Sequence, residues 1–244
     1  MRTGIAQARR GIVRGGRSAA AGTVWLFDLD NTLHDASRAI FAAIDRSMTE
    51  AVMQSLDLDR EAATRLRTRY WKRYGATAIG MERHHGVDID AFLTLSHSFE
   101  IAPLVHGETG LARRLARLPG RKIVLTNAPL PYACTVLRTL GILRQFDRVW
   151  AINHMRLQGR VRPKPSLALM RQVLAQLRVP AARAVLVEDT LGNLRTARQA
   201  GMRTVHVYHP GTPFSGKHSG RSHHVGLRVN SVSELLLGRR PLRR

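Results

Sequence analysis

Short runs of apolar residues alternate with amphipathic stretches over most of the chain. The runs span four or five residues and are rich in Val, Ile and Leu, at 23–27, 122–126, 148–152, 184–187 and 204–207. Helical spacing of apolar positions separates most of them, at 108–118, 131–140, 166–177 and 191–200. Strands that alternate with helices of this length predict an α/β fold, with a Rossmann-like parallel sheet covered by helices on both faces.

One long segment interrupts this alternation after the first predicted strand. There an apolar residue recurs at every fourth position, in a helical stripe made of Ile40, Ile44, Met48 and Val52. Further helical stretches follow near 59–74 and 88–96, with no strand-like run between them. We therefore expect a core domain made of 23–35 and 101–244, and a helical cap of residues 36–100 that acts as a lid.

The two ends of the chain differ in composition from the rest. Residues 1–22 hold five Arg and no acid, and no apolar stretch in them is long enough for a secretory signal. They predict a disordered extension, with an organellar transit peptide as the alternative. Residues 209–224 are rich in Gly, Ser and His, and they predict a loop whose histidines are solvated rather than bound to a metal.

Polar residues follow the ends of the predicted strands. They are Asp28 and Asp30, Thr126 and Asn127, and Glu188 and Asp189, with Lys164 just before a predicted helix. Because parallel strands bring their carboxyl ends to one edge of the sheet, we expect these side chains to meet there. Converging carboxylates repel one another and raise a pKa, unless a hard cation such as Mg²⁺ neutralises them. An ammonium group and neutral donors beside such a cation suit a phosphoryl group.

Two of these positions carry further information. Asp28 and Asp30 lie two residues apart, so their side chains either point to one side of an extended chain or diverge where the strand ends. Lys164 is one of only four lysines among 39 basic residues, and it lies between Pro163 and Pro165. Flanking prolines restrict the backbone and would hold the compact ammonium charge in place, so we interpret Lys164 as a site residue.

Together these residues resemble a known enzyme family. The stretch Phe-Asp-Leu-Asp-Asn-Thr-Leu at 27–33 is similar to the first motif, DxDx(T/V), of the haloacid dehalogenase-like (HAD) hydrolases. Thr126-Asn127, Lys164, and Glu188-Asp189 with Asn193 resemble the second, third and fourth motifs, in that order. A single DxD is common on loops, whereas four ordered motifs at strand ends are specific. The resemblance covers residues 23–207 and implies a HAD core with a helical cap.

The resemblance also implies a role for each motif residue. Asp28 is the nucleophile that forms an aspartyl phosphate, and Asp30 protonates the leaving oxygen and then activates water. The groups that hold Mg²⁺ are the Asp28 carboxylate, the Asp30 backbone carbonyl and Asp189. The residues that hold the phosphoryl oxygens are Thr126, Asn127 and Lys164. Glu188 and Asn193 support this set from a second layer.

The resemblance further favours a phosphatase over a dehalogenase. A halide leaves without a proton, and the dehalogenases lack an acid at the position of Asp30, whereas an alkoxide that leaves phosphorus needs a proton. The stretches 74–78, 81–86 and 122–129 resemble the pyrimidine 5′-nucleotidase branch, which has Tyr where this chain has His34. We therefore expect a pyrimidine nucleoside 5′-monophosphate as substrate, with phosphoglycolate or another sugar phosphate as the alternative.

Five residues of the cap are candidates to contact the substrate, namely Trp71, Tyr74, Arg83, His84 and His85. Trp71 or Tyr74 would stack on a base, although packing as a core aromatic fits the pattern equally well. Arg83 and the two histidines fit a solvated turn as well as a substrate contact. The sequence leaves these alternatives open.

The composition adds a strong positive charge. The 244 residues include 39 basic and 17 acidic side chains, which give a formal net charge of +22. This charge attracts anions, and small phosphate esters fit the motifs. Single-strand binders interleave aromatic platforms with basic residues, and that pattern is absent, so we expect at most weak, non-specific nucleic-acid binding. The alternative of another class is a basic nucleic-acid-associated protein with a secondary HAD core.

The remaining features of the sequence exclude other classes. No apolar run approaches 18 residues, so no membrane span is predicted, and a cytoplasmic protein is expected. The single cysteine, Cys134, excludes a disulfide framework and falls at a core position of a predicted helix. Nothing in the pattern predicts an oligomeric state.

Overall fold

The computed structural model describes residues 22–208 and 222–237 of the chain. The predicted extension lies outside the described residues except for Gly22, and so does the predicted loop except for 222–224. No helix in the described ranges is long and apolar enough to cross a membrane.

Six parallel strands form the central sheet, which confirms the predicted α/β architecture. Their order is β3-β2-β1-β6-β7-β8, and each neighbouring pair is parallel. The strands are β1 (Val24–Phe27), β2 (Arg121–Leu125), β3 (Arg148–Trp150), β6 (Ala184–Glu188), β7 (Arg203–Val207) and β8 (Leu227–Val229). A separate antiparallel pair consists of β4 (Arg156–Leu157) and β5 (Arg160–Val161). The sequence pattern did not predict β8, because it has three residues with a charged one in the middle.

The alternation of side chains along β1 explains why it lies at the centre of the sheet. All four of its residues are buried. Trp25 and Phe27 point to one face and pack with helices α5 (Leu111–Arg117), α6 (Leu130–Thr139) and α9 (Val232–Leu237). Val24 and Leu26 point to the other face and pack with α7 (Leu167–Leu177) and α8 (Leu191–Gln199). Helices therefore cover both faces, as a parallel sheet requires.

Four helices occupy the segment between β1 and α5, as the pattern predicted in outline. They are α1 (Ile40–Leu56), α2 (Arg60–Tyr74), α3 (Thr77–His85) and α4 (Ile89–Leu95). The side chains of Asp59 and Asp88 cap the N-termini of α2 and α4. The apolar faces of the four helices form a separate hydrophobic cluster, which also includes Ile152 and Val161 from the rest of the chain. The division into a cap of 36–100 and a core stays a prediction.

Helix α3 ends with three exposed residues that the sequence offers as substrate candidates. Arg83, His84 and His85 form its last turn, and their contacts with a substrate stay predictions. The helix ends at Gly86, which has a φ of 66° and so adopts the left-handed conformation that terminates many helices. Basic residues in the last turn are favoured there by the helix dipole.

The amino and carboxyl ends of the strands, which form two opposite edges of the sheet, differ in charge. Arg121, Arg148 and Arg203 are the first residues of β2, β3 and β7, so their side chains start from the amino edge. A cavity of about 650 Å³ at this edge is lined by Arg117, Arg121, Lys122, Arg178, Arg183 and Asp147, among others. The acidic motif residues follow the opposite, carboxyl ends of the strands.

We predict that Gly80→Ala destabilises the four-helix segment. A Cβ at position 80 would lie 2.1 Å from Cγ of Tyr70, a ring atom close to the backbone that cannot simply swing away. Overpacking of this kind costs about 1–3 kcal/mol. Urea unfolding should show the loss as a lower midpoint. The same change at Gly192, where the nearest atom would be 4.0 Å away, serves as the control. Equal midpoints for the two variants would contradict the prediction.

Candidate active site

The site begins where β1 ends. Asp28 follows Phe27 directly, and its backbone N–H donates to the Val187 carbonyl at 2.9 Å, so the sheet fixes its backbone. Asn31 then adopts a left-handed conformation, with a φ of 59°, and the chain turns away from the sheet. Asp28 is buried, with 7% of its surface exposed. The first motif is thus a strand end followed at once by a turn.

A buried lysine joins two of the predicted acids. The Lys164 ammonium donates to Oδ1 of Asp28 at 2.6 Å and to Oε2 of Glu188 at 2.7 Å. Only 2% of Lys164 is exposed. Burial alone would lower the pKa of the ammonium, but the two carboxylates outweigh it and raise the pKa above its usual value. Lys164 therefore stays charged and balances part of the acidic charge.

Asn127 holds the backbone of Lys164. Its Nδ2 donates to the Lys164 carbonyl at 2.8 Å, and its Oδ1 accepts from the Lys164 N–H at 2.9 Å. The motif predicts that the Asn127 side chain holds phosphoryl oxygens, and that contact stays a prediction, because both of its polar atoms contact Lys164. The neighbouring Thr126 hydroxyl accepts from the Ala128 N–H at 3.0 Å and keeps its own proton to donate. Spacing alone could not reveal the Asn127 contact, because it joins residues 37 positions apart.

Three acids form a group at the carboxyl edge. Asp28, Glu188 and Asp189 each offer a carboxylate oxygen, and these oxygens lie within 4.8 Å of one another. Burial and the repulsion of Glu188 raise the pKa of Asp28 to about 7. Burial is also the main cause that raises the pKa of Glu188 to about 7 and that of Asp189 to about 6. A divalent cation with oxygen ligands relieves such crowding, so the donor set fits Mg²⁺.

The Asp30 carboxylate has other partners. Its Oδ1 lies 2.8 Å from Nε2 of His34 and accepts from the Tyr132 hydroxyl at 2.7 Å. Burial would raise the pKa of Asp30, but the hydrogen bond and charge of His34, followed by the Tyr132 hydrogen bond, lower it. Burial, together with the charge and hydrogen bond of Asp30, raises the pKa of Tyr132 well above its usual value. The side chains of Asp28 and Asp30 thus have separate partners, and no motif in the sequence points to Tyr132.

The candidate substrate residues gather at the ends of α2 and α3. The Tyr74 hydroxyl lies 2.6 Å from Nε2 of His84, and the Arg83 guanidinium lies 5.3 Å from the centre of the Tyr74 ring. His85 bonds the Tyr70 hydroxyl in the same way, at 2.8 Å. Trp71 is 47% exposed. Gly75, next to Tyr74, lies against the Lys164 loop, where an added Cβ would be 3.8 Å from the Lys164 carbonyl oxygen. The five substrate contacts stay predictions.

Two further residues of the sequence analysis occupy buried positions. Asn193 lies in the first turn of α8 and is 6% exposed, and its Oδ1 has no hydrogen-bond partner among residues 22–208 and 222–237. Its supporting role stays a prediction. Cys134 is buried in α6, and burial raises the pKa of its thiol, as suits a core position.

The fold is that of an α/β protein in which the predicted site residues Asp28, Lys164, Glu188 and Asp189 meet at the carboxyl ends of parallel strands. Within that class, the chain belongs to the haloacid dehalogenase-like hydrolases, because residues 24–201 match this family. The predicted family membership is thereby confirmed. The pyrimidine 5′-nucleotidase branch stays a prediction.

Known proteins that are similar to the chain include two relatives and one solved structure from three organisms. Phosphate metabolism protein 8 of Saccharomyces cerevisiae is 24% identical over 197 residues, which cover 76% of this chain and 61% of the yeast protein. A phosphoglycolate phosphatase of Pseudomonas fluorescens is 25% identical over 207 residues, which cover 78% of this chain and 72% of the relative. The crystal structure of CbbY from Rhodobacter sphaeroides, in complex with phosphate, has a TM-score of 0.58 and 25% identity, and covers 88% of this chain and 96% of its own.

We predict that Mg²⁺ stabilises the fold more at about pH 8 than at about pH 5. Without metal, the raised pKa values of Asp28, Glu188 and Asp189 mean that the folded chain keeps protons that the unfolded chain releases. The stabilisation that these three protonated carboxyl groups contribute is complete below about pH 4. It is lost as the pH rises through 6 to 7 and the groups ionise in the folded chain. Mg²⁺ competes with these protons for the carboxylates. The stabilisation by Mg²⁺ therefore grows as the pH rises and the protons dissociate.

Thermal unfolding with Mg²⁺ or with a chelator, at both pH values, measures this difference. Asp189→Asn should lose most of the Mg²⁺-dependent rise in Tm. Asp59→Asn, at a helix N-terminus where Asn caps as well as Asp, should keep it. A rise of equal size at both pH values would contradict the prediction.

Proposed function

We propose that the protein is a Mg²⁺-dependent phosphatase that hydrolyses a small phosphate monoester through an aspartyl phosphate on Asp28. The observation that carries the proposal is the position of the Asp28 carboxylate. It is held by Lys164 at 2.6 Å and lies within a group of acids suited to a divalent cation. A fixed, desolvated carboxylate beside positive charge is suited to attack a phosphoryl group. The phosphatase relative and the phosphate in the CbbY structure support the same class of substrate.

The reaction divides into two steps. In the first, an oxygen of Asp28 bonds to phosphorus, the bond from phosphorus to the leaving oxygen breaks, and the protonated form of Asp30, a minor form because its pKa is lowered, gives that oxygen a proton. In the second, Asp30 takes a proton from water, whose oxygen bonds to phosphorus and releases the Asp28 carboxylate and inorganic phosphate. Both protons and both bonds balance over the cycle. Asp30 is thus acid first and base second.

The other motif residues support these steps. Mg²⁺ would be held by the Asp28 carboxylate, the Asp30 backbone carbonyl and Asp189, and when bound it offsets the charge on the phosphoryl oxygens. Glu188 acts through Lys164, which it contacts at 2.7 Å. Lys164 and the Thr126 hydroxyl bind the phosphoryl group, and Asn127 positions Lys164 by holding its backbone.

The substrate depends on the helical segment, which we propose acts as a cap of residues 36–100. Tyr74 precedes Gly75, where an added Cβ would be 3.8 Å from the Lys164 carbonyl oxygen, so the backbone next to Tyr74 lies close to the Lys164 loop. This position favours a planar base and hence a pyrimidine nucleoside 5′-monophosphate. The second candidate is phosphoglycolate or a similar sugar phosphate, which the name of the Pseudomonas fluorescens relative favours. Nucleic acid is proposed to bind weakly at most.

We predict that Asp28→Asn lowers phosphate release from p-nitrophenyl phosphate by about a thousandfold or more, because loss of a covalent nucleophile removes the first step. The measurement is single-turnover and steady-state release of phosphate with Mg²⁺ present. Asp59→Asn makes the same chemical change at the helix cap of α2 and should leave the rate unchanged. Near wild-type release by Asp28→Asn would rule out the aspartyl-phosphate mechanism.

A panel of phosphate monoesters tests the substrate. We expect kcat/KM for UMP and CMP to exceed that for phosphoglycolate, and Tyr74→Ala to reduce this preference because the ring that faces the base is lost. The rate with p-nitrophenyl phosphate reports whether the phosphoryl site of the Tyr74 variant is intact. A higher kcat/KM for phosphoglycolate would transfer the assignment to the second candidate and leave the phosphatase mechanism in place.

A further inference from the structure

Asp30 has an unusual arrangement of donors on one of its two carboxylate oxygens. Both His34, at 2.8 Å, and Tyr132, at 2.7 Å, contact Oδ1. A carboxylate oxygen offers about two lone-pair directions, so this pair occupies Oδ1. In the described residues, no hydrogen bond of comparable length involves Oδ2.

We propose that His34 and Tyr132 are positioning residues that orient the Asp30 carboxylate so that its Oδ2 carries the proton exchanged with the leaving oxygen and with water. The proposal rests on the phosphatase mechanism given above and adds two residues that its four motifs do not include. Neither residue contacts the phosphoryl group in this scheme. Each acts through Asp30.

The surroundings of both donors are rigid. The Tyr132 ring is 1% exposed on α6 and packs edge-on against His97, with 5.4 Å between the ring centres. The side chain of His34 is fully buried, and its backbone pairs with Gly107. The next residue, Asp35, donates its N–H to the His106 carbonyl at 2.8 Å. Donors held in this way restrict the rotation of the Asp30 carboxylate, which is what orientation of a proton donor requires.

The chemistry of the contacts fixes which atom of His34 carries a proton. A carboxylate oxygen only accepts, so Nε2 of His34 must be the donor. Its Nδ1 is buried and has no hydrogen-bond partner in the part of the chain that the structure describes. His34→Gln places an amide N–H at a similar reach and can donate, whereas His34→Leu keeps the apolar bulk and cannot. These two variants separate the hydrogen bond from the packing.

The two hydrogen bonds to Oδ1 determine which oxygen of Asp30 carries the transferred proton. With Oδ1 engaged by two donors, the free lone pair of the carboxylate is on Oδ2, so the transferred proton resides there. It passes from Oδ2 to the leaving oxygen as the phosphorus–oxygen bond breaks, and a proton from water returns to Oδ2 in the second step. If Asp30 rotates, Oδ2 no longer faces the leaving group and this transfer slows.

Two aryl substrates of similar shape test the proposal. The phenolate of p-nitrophenyl phosphate leaves readily without a proton, whereas that of phenyl phosphate depends more on an acid. We expect Tyr132→Phe and His34→Leu to lower kcat for phenyl phosphate by about tenfold to a hundredfold more than for p-nitrophenyl phosphate, with little change in KM. His34→Gln should recover much of the loss, a result that a purely structural role would not give.

Thr204→Val is the matched control for loss of a buried hydroxyl. Thr204 donates to the His224 carbonyl at 2.7 Å on β7, away from the site, and its removal should alter the rates with the two substrates equally or not at all. Equal losses with both substrates in Tyr132→Phe, or full activity in His34→Leu, would overturn the proposal.

The experiment also separates this inference from the function on which it rests. If wild-type protein releases no phosphate from any monoester, the proposed function fails. If wild-type protein is active, Asp28→Asn is inactive, and the His34 and Tyr132 variants show no dependence on the leaving group, then only the positioning role fails.

Discussion

The buried ammonium of Lys164 is the contact on which the rest of the site depends. It neutralises one of two carboxylates that the sheet brings to the same place, and loss of one partner from such a buried pair generally costs about 3–5 kcal/mol. With Asp28, Glu188 and Asp189 ionised against one ammonium, the group keeps a surplus of two negative charges. An anionic phosphoryl group would be repelled by that surplus. A bound divalent cation would offset that surplus, so metal binding and phosphate binding are expected to be linked at this site.

The position of the lysine is set by long-range contacts rather than by its own segment alone. Its backbone is clamped by Asn127, from the strand beside β1, and its side chain reaches Asp28 at the end of β1. Residues at the ends of β1, β2 and β6 thus converge on this one lysine: Asn127 holds its backbone, and Asp28 and Glu188 accept from its ammonium. Because the strands are parallel and buried at their carboxyl ends, these ends cannot shift independently. The precision of the site comes from the sheet.

The sequence predicted much of this arrangement because its signals are local. Apolar runs that end in acids mark the strands and the motif residues together, and the rarity of lysine marked Lys164. What the sequence did not predict depends on contacts between distant residues. Tyr132 has the pattern of a core aromatic on α6, yet its hydroxyl reaches Asp30, 102 positions away. Strand β8 is too short to show a period, and the helix of Arg83, His84 and His85 has too few apolar residues to show a stripe.

The different charges of the two edges of the sheet have a consequence for the molecule as a whole. Arginines begin three strands of the central sheet, and acids lie at the carboxyl ends of two others, so positive and negative charge lie at opposite ends of the sheet. Considered by themselves, these charges form an electric dipole along the strands. Near a polyanionic surface the dipole turns the basic edge toward that surface and the acidic edge away from it. Adsorption through the arginine-rich edge would therefore leave the catalytic mouth facing solvent, where a small anion can still enter.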